Sequence, residues 1–376
     1  MSVYEDSVAS FLEPIKKYLD DDSVSEVLVN GPKEVFIERR GLLERVHDAD
    51  FHDEQTLQAA VRNIAQFVGR RVDDENPRLD ARLPNGSRVH AVLPPSSRKG
   101  TTLSIRKFSK DSPTFVDLIQ KGSISKDAAK FIDVCVYLAK NIIISGGTGS
   151  GKTTLLNVIG SRIPGTQRLL IIEDASELKI KTDHCVYFET KAPGANGKGA
   201  VTIRDLIVSS LRLRPDRIVV GEVRGPEAID LITAMNTGHG GSMGTTHANT
   251  PYDALVRLET LSMMGDTQVP VGAIRRQIAA AIHIVVQIKR MNDGSRKITD
   301  IAEVIPEVDD FGRYQIKSIY KFIQRGRTAE GKIVGELVPT GYLPTFLDEI
   351  IVNRIPFGKE KFQPPEWAVT LLPKAA

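Results

Sequence analysis

The sequence has little cysteine, few aromatic residues and almost no net charge. Its 376 residues include only two cysteines, Cys135 and Cys185, which share no C-x-x-C spacing. This excludes a disulfide scaffold or a zinc site built from cysteines alone, and we expect two buried or half-buried thiols. Lys and Arg number 50 against 47 Asp and Glu, so the net charge of +3 does not indicate a nucleic-acid-binding protein.

Long apolar runs are also missing. The longest candidate, Ala279–Ile288, is interrupted by His283 and Gln287 and is shorter than the roughly 18–20 residues that cross a bilayer. The N-terminus is acidic and lacks the apolar core of a signal peptide. We therefore expect a cytoplasmic protein that reaches a membrane only through partners. With 41% hydrophobic and 26% charged residues, the chain has the composition of a folded protein of two or three domains.

Residues 1–108 are predicted to form an α+β domain. Val8, Leu12, Ile15 and Leu19 recur at helical spacing. A second helix should begin at an Asp53 cap and end at Phe67, and Asn30-Gly31-Pro32 is a turn signal. The predicted strands are Val24–Val29, Glu34–Arg39, Ser87–Leu93 and Thr101–Phe108. Residues 109–122 are interpreted as a linker, and residues 123–376 as a second domain.

The second domain is predicted to be α/β. Three short, almost continuously apolar segments alternate with helical ones, as expected for parallel strands covered on both faces. These segments are Ile142–Ser145, Arg168–Ile172 and Arg217–Val220.

The sequence GGTGSGKT matches the phosphate-binding pattern G-x-x-x-x-G-K-[ST], with a strand before it and a predicted helix, Thr154–Ile159, after it. Glycines let backbone N–H groups curl around phosphate oxygens at a helix N-terminus. The segment therefore predicts binding of ATP or GTP. The nucleotide-binding residues would be Gly146, Gly147, Thr148, Gly149, Ser150, Gly151, Lys152, Thr153 and Thr154, with Lys152 on the β- and γ-phosphates and Thr153 on Mg²⁺.

Acidic side chains follow two of the predicted strands. Glu222 ends the Arg217 strand, and Gly221 stands where an Asp is usual. Glu222 must then act on the metal, the attacking water, or both. Glu173 and Asp174 end the Arg168 strand, at the sheet edge where ligands bind in α/β proteins. The sequence thus predicts a site that these carboxylates share with the glycine loop.

Two further segments contribute candidates. The glycine-rich stretch 238–251 contains His247, which we interpret as the end of an edge strand near the γ-phosphate. A helix, Pro226–Met235, is predicted just before this stretch. Arg212 belongs to the arginine cluster SSLRLRPDR, which either faces solvent or neutralises phosphate charge.

The order GGTGSGKT, IIEDASEL, LRLRPDRIVVGEVRG and GSMGTTHANTP resembles the boxes of the type II/type IV secretion ATPase superfamily. The segments NGPKEVFIERRG, PRLDARLPNGSRVHAVLPP and TTLSIRKF look like the CpaF family of tight-adherence pilus ATPases. The resemblance covers nearly all of residues 24–355, and G-E at 221–222 fits the superfamily pattern.

The resemblance implies a fold, an assembly and a set of roles. It implies a PAS-like N-terminal domain, a RecA-like P-loop ATPase domain, and a homo-hexameric ring working with an inner-membrane platform protein. ATP and Mg²⁺ would be bound, with Thr153, Glu173 and Glu222 as metal ligands. Catalysis would fall to Lys152, Glu173, Glu222, His247 and Arg212. Arg88 and Arg106 would bring N-domain cations to a nucleotide in the same or the next subunit.

Other functions remain open at this point. A type IV secretion traffic ATPase that moves DNA or protein shares this architecture. A RecA- or helicase-type nucleic-acid motor is disfavoured by the near-neutral charge and by the lack of interleaved aromatic and basic residues. A nucleotide-gated scaffold with negligible hydrolysis is a third class. The direction of a pilus motor, extension or retraction, is not encoded in these motifs.

Overall fold

The computed structural model describes residues 8, 10–83, 85–107, 113–194, 198–265 and 269–372. The chain divides into two compact units, Met1–Asp111 and Ser112–Ala376. The segment 109–122, interpreted as a linker, contains a helix from Phe115 to Gln120 that belongs to the second unit, while its residues 109–112 lie outside the described residues.

The described part of the N-terminal unit is an antiparallel sheet with two helices. The described helices are α1 (Glu13–Asp20) and α2 (Glu54–Phe67). The strands are β1 (Val24–Asn30), β2 (Val35–Arg39), β3 (Leu42–Val46), β4 (Arg78–Arg82), β5 (Arg88–Val92) and β6 (Thr102–Arg106). Their order in the sheet is β3-β2-β1-β6-β5-β4.

Local sequence signals explain several features of this unit. The Asp53 side chain accepts a hydrogen bond from the N–H of Thr56, so the predicted cap of α2 is confirmed. Gly31 has φ +83°, which glycine adopts without strain, in the turn between β1 and β2. Strands β3 and β4 were not predicted. β3 has almost no buried residue and therefore no alternating pattern to detect. The predicted last residue of β6, Phe108, lies outside the described residues.

The second unit contains a nine-stranded mixed sheet in its described part, in the order β15-β14-β13-β12-β7-β11-β10-β8-β9. Its strands are β7 (Ile142–Ser145), β8 (Leu169–Glu173), β9 (Cys185–Glu189), β10 (Arg217–Val220), β11 (Met243–Thr246), β12 (Ile284–Arg290), β13 (Arg296–Val308), β14 (Tyr314–Arg327) and β15 (Ile333–Pro339). Strands β7 to β12 pair in parallel, and β12 to β15 pair antiparallel.

Helices surround this sheet. They are α3 (Phe115–Gln120), α4 (Lys126–Tyr137), α5 (Lys152–Gly160), α6 (Ile203–Ser210), α7 (Glu227–Asn236), α8 (Pro251–Ser262), α9 (Val271–Ala281), α10 (Leu347–Val352), a 3₁₀ turn (Lys359–Phe362) and α11 (Glu366–Val369). The helix predicted over Pro226–Met235 is α7, displaced by one residue.

Both faces of the parallel strands are covered. Ile142 and Ile144 belong to one hydrophobic cluster with Leu155 of α5, whereas Ile143 belongs to a second cluster with Leu231 of α7. Alternation between two buried faces explains why the strand sequences are apolar throughout. Both cysteines are free thiols, and as predicted they are buried (Cys135) or half-buried (Cys185).

One strand assignment was wrong. The strand that ends before His247 was predicted at the sheet edge, but β11 lies between β7 and β10, in the middle of the sheet. Its sequence MGTT is short and polar, which is typical of an edge. The polar side chains are accommodated because the hydroxyl of Thr245 donates to the Gly221 carbonyl at 2.7 Å. Because β11 lies between these two strands, His247 is beside both the glycine loop that follows β7 and the carboxyl end of β10.

Candidate active site at the carboxyl edge of the parallel sheet

The glycine loop 146–151 joins the end of β7 to the start of α5. Gly149 and Gly151 have φ of +67° and +96°, a region that side-chain-bearing residues rarely adopt. Helix α5 begins at Lys152, two residues earlier than predicted, so its N-terminus adjoins the loop directly. This is the backbone arrangement that binds anions through N–H groups and the helix dipole.

Three predicted side chains meet at this loop. The Lys152 ammonium donates to the Gly147 carbonyl at 3.1 Å and lies 3.4 Å from the His247 ring nitrogens. His247 Nε2 lies 2.8 Å from Oε1 of Glu222. A neutral His247 can accept from the Lys152 ammonium through the ring nitrogen that carries no proton. Burial, and then the charge of Lys152, lower the pKa of His247.

Arg224, which the motif reading did not single out, completes this cluster. Its guanidinium donates to Oε2 of Glu222 at 2.6 Å and lies 3.7 Å from a carboxylate oxygen of Asp174. Burial works to raise the pKa of Glu222, but the Arg224 hydrogen bond and the neighbouring positive charges outweigh it and hold the pKa below its ordinary range. Glu222 is therefore a carboxylate at neutral pH. The signal that could have identified Arg224 is its position, two residues after an acid at a strand end.

Glu173 has a different environment from Glu222. It is 3% exposed, and its Oε1 accepts hydrogen bonds from the N–H groups of Glu177 and Leu178, both at 2.9 Å. Burial raises the pKa of Glu173 to about 7. The side chain packs against Gly221, whose missing Cβ would lie 3.0 Å from the Glu173 Cγ. This packing explains why a glycine precedes Glu222.

The predicted metal ligands are Thr153, Glu173 and Glu222. Glu173 binds backbone N–H groups, whereas Glu222 contacts Arg224 and His247, so none of these contacts joins the two carboxylates. In the part of the chain that the structure describes, no group of three or more His, Cys, Asp or Glu side chains is arranged to hold a metal ion. Thr153 and Glu222 still offer hydroxyl and carboxylate oxygens, the donor type that Mg²⁺ prefers. A metal role for Glu173 stays a prediction.

The remaining predicted arginines belong to other elements of the chain. Arg212 is exposed after α6, just before the amino end of β10, whereas Glu222 follows the carboxyl end of that strand. It therefore does not join the Glu222 cluster of its own chain. Arg88 and Arg106 face each other across β5 and β6 of the N-terminal unit, and Arg82 of β4 lies opposite Arg88. Arg82 is thus a third arginine in this line of cross-strand partners, and the sequence motifs did not identify it.

Two more arginines lie beside the glycine loop. Arg290 ends β12 and Arg296 begins β13, and the two are cross-strand partners. Nε of Arg296 donates to the Gly149 carbonyl at 3.0 Å. Sequence reasoning missed this contact because about 140 residues separate the two segments and no local pattern connects them.

A phosphate-type loop facing a carboxylate and a histidine at the carboxyl edge of a parallel sheet is the arrangement of P-loop proteins. The chain belongs to the type II/IV secretion system protein family, whose model matches residues 9–328. The predicted superfamily is thereby confirmed, while the tight-adherence branch stays a prediction.

Two relatives illustrate the family. A Mycobacterium tuberculosis (strain CDC 1551 / Oshkosh) protein that carries the name of a conjugal transfer protein is 35% identical over 336 residues, covering 88% of this chain and 93% of the relative. Type IV secretion system protein VirB11 of Brucella suis biovar 1 (strain 1330) is 34% identical over 326 residues, covering 78% and 90%.

Solved structures show the same fold at low sequence identity. The pilus retraction motor PilT with bound ADP has a TM-score of 0.52 at 18% identity, covering 92% of this chain and 86% of PilT. The Yersinia pseudotuberculosis ATPase DotB has a TM-score of 0.54 at 16% identity, covering 93% and 81%. The predicted fold class, an α+β unit followed by a RecA-like α/β unit, is confirmed. No helix among the described residues is long and apolar enough to span a bilayer.

Proposed function

We propose that this protein is an ATP-hydrolysing motor that powers a type II/IV secretion or pilus machine at the inner membrane. The observation that carries the proposal is the contact chain from Lys152 through His247 to Glu222 beside the glycine loop. These side chains supply a cation for phosphate oxygens, a polar sensor and a carboxylate base within one cluster. Family membership supports the same conclusion.

The chemistry follows from what each group does. Loop N–H groups and Lys152 would bind the β- and γ-phosphates. Glu222 would accept a proton from water as the water oxygen bonds to the γ-phosphorus and the bond from this phosphorus to the bridging oxygen breaks, leaving ADP and phosphate. His247, in contact with both Lys152 and Glu222, would orient the base and report the γ-phosphate. Arg224 holds the carboxylate in place and charged.

The substrate would be the magnesium salt of ATP. Thr153 and Glu222 are the residues that would hold Mg²⁺, which supplies charge neutralisation on the phosphates when it is bound. Glu173 is a less direct candidate because two backbone N–H groups already occupy one of its oxygens. Its contribution to the site would then be to position the Gly221–Glu222 segment.

The positions of the remaining arginines are consistent with a ring of subunits in which one subunit contributes to the nucleotide site of the next. Arg212 lies away from its own chain's Glu222, so a catalytic role requires the nucleotide of a neighbouring subunit. Arg88 and Arg106 are cross-strand partners and concentrate positive charge, with Glu26 opposite Arg106 on the neighbouring strand. We infer that these cations complete a nucleotide site in a homo-hexamer, as arginine fingers do in other phosphoryl-transfer enzymes.

Two machines fit this motor. Assembly or retraction of a tight-adherence type IV pilus is suggested by the first-domain motifs. Transfer of DNA or protein is favoured by a specific observation, the 34–35% identity to VirB11 and to the conjugal transfer relative. Deleting the gene in its host separates them. Loss of surface pili with normal DNA and protein transfer supports the pilus motor, and the reverse result supports the traffic ATPase.

The motor itself is tested by the ATPase activity of the purified protein across a concentration series, with mass measured in parallel by light scattering. Specific activity that rises with a hexamer-sized species supports a ring with shared sites, and Lys152→Ala provides the inactive control. Full activity in a monomer contradicts the ring. ATP binding in a stable oligomer without turnover favours a nucleotide-gated scaffold, and a salt-dependent DNA affinity favours a nucleic-acid motor.

A further inference from the structure

The hairpin between β12 and β13 is a firmly held element next to the glycine loop. Its turn is closed by the Met291 N–H donating to the Ser295 carbonyl at 2.7 Å. Oδ1 of Asp293 accepts from the N–H and the hydroxyl of Ser295, and Oδ2 accepts from the N–H of Ile333 at 2.7 Å. The tip is therefore tied both to itself and to the start of β15.

The rigid hairpin presents two arginines to the loop. Arg296 donates Nε–H to the Gly149 carbonyl at 3.0 Å, and its Cδ would lie 3.2 Å from a Cβ on Gly151. Nη1 of Arg290 would lie 3.3 Å from a Cβ on Gly149. Glycine is favoured at both positions by the positive φ, and a Cβ there would also be in tight contact with an arginine side chain.

The contact has a consequence for the loop's N–H groups. In a planar peptide unit, the carbonyl and the following N–H point in opposite directions. Arg296 binds the Gly149 carbonyl on one side, and the Ser150 N–H points to the other side, where it makes a long hydrogen bond of 3.4 Å to the Gly147 carbonyl. A row of N–H groups with fixed orientation is what makes a loop bind anions, and two nearby guanidinium groups add positive charge.

We propose that Arg290 and Arg296 form an arginine brace, in which Arg296 positions the glycine loop and Arg290 adds charge for the phosphates of a nucleoside triphosphate in the same chain. The inference rests on the proposed function, because it assumes that this loop binds the nucleotide. Arg296 is a positioning residue: it acts on the nucleotide through Gly149.

The test measures KM and kcat for Mg-ATP in variants of the full-length protein. Arg296→Ala raises KM about tenfold, the equivalent of about 1.4 kcal/mol, and changes kcat less than about twofold. Arg296→Lys recovers part of the loss, and Arg290→Ala raises KM by a smaller factor. Lys289→Ala is the matched control: it removes a positive charge from an exposed position of the same strand and leaves KM unchanged.

Hydrogen exchange without nucleotide gives a second readout. Arg296→Ala should speed exchange of amides 147–151, and Lys289→Ala should not. If the wild type is active but Arg296→Ala has the same KM and the same amide exchange as the wild type, the arginine brace is wrong and the proposed function stands. A fall in kcat at constant KM also overturns the brace. If the wild type binds no ATP, the proposed function is contradicted, and so is the arginine brace that rests on it. Should Arg296→Ala not fold, Arg296→Lys and Arg290→Ala decide by the same criteria.

Discussion

The Cβ that Gly221 lacks would lie 3.0 Å from the Cγ of Glu173. The Glu173 side chain therefore leaves too little room for a side chain at residue 221. Glu173 cannot easily move, because it is almost fully buried and bonded to the N–H groups of Glu177 and Leu178. The glycine that looks like a departure from the usual acidic strand end is therefore a packing requirement.

Gly221→Ala should lower the free energy of unfolding by about 1–3 kcal/mol, the usual cost of overpacking a rigid interior. Gly221→Asp should cost more, because it adds a charge beside a buried carboxyl group. Chemical denaturation measures both. The control is Gly272→Ala in α9, where a Cβ meets nothing within 4 Å and stability should hold or rise. Equal stability of the Gly221 and Gly272 variants would contradict the packing explanation.

Arg275 joins helices α8 and α9 to β14. Its guanidinium donates to both carboxylate oxygens of Glu259, at 2.7 and 2.9 Å, and the Tyr314 hydroxyl donates to the same carboxylate at 2.9 Å. Arg275→Met leaves the nearly buried Glu259 without its counter-charge and should cost about 3–5 kcal/mol of unfolding free energy. Arg313→Met removes the exposed pair with Asp309 and should cost less than about 1 kcal/mol.

The double variant Arg275→Met, Glu259→Gln extends this comparison. It should recover much of the lost stability, because the unpaired charge is gone. A loss that is the same for the single and the double variant would show that Arg275 acts through its packing alone.

His283 should make stability fall in acid. Burial, followed by the charge of Lys140, lowers its pKa from 6.5 to about 4, while Glu349 acts in the opposite direction. Between these pH values the unfolded chain takes up a proton that the folded chain refuses, so stability is complete above about 6.5 and declines toward 4. The shift corresponds to about 3 kcal/mol.

The measurement compares unfolding of the wild type and His283→Asn from pH 7.5 to 4.5. Asparagine can still accept the Asn141 N–H, which lies 2.9 Å from the His283 Nδ1, but it does not titrate. Comparing the two proteins removes contributions of opposite sign, such as that of Asp300, whose pKa burial raises to about 6. A constant stability difference across the range would contradict this account of His283.

Strong local patterns predicted much of the fold. The three apolar runs of the second unit are strands, because parallel strands buried on both faces leave a clear apolar signature. The strands β13 to β15 were missed because they are partly exposed and mixed in composition. β12 was missed because the apolar run Ala279–Ile288 joins the end of α9 to this strand without a break in pattern. The polar β11 was placed at an edge because its burial depends on neighbours that no local window contains.

The candidate site was predictable only where one short segment carries the chemistry. Gly146 to Thr153 form such a segment, and Glu222 and His247 follow strands that end at the same sheet edge. Arg296 was not predictable, since its contact with Gly149 depends on the sheet order that places β12 beside β7. Glu173 was correctly placed at the edge, but its bonds to backbone N–H groups could not be foreseen.

The central claim is that Glu222 is the base of an ATPase centred on the glycine loop, and Glu222→Gln tests it most directly. Glutamine keeps an oxygen for Arg224 but cannot accept the proton of the attacking water. The affinity for Mg-ATP, measured by calorimetry, should change by no more than a few fold, while kcat should fall by about 10²–10⁴. Glu307→Gln, at an exposed position of β13, should leave both values unchanged. Turnover in Glu222→Gln equal to that of the wild type would contradict the account.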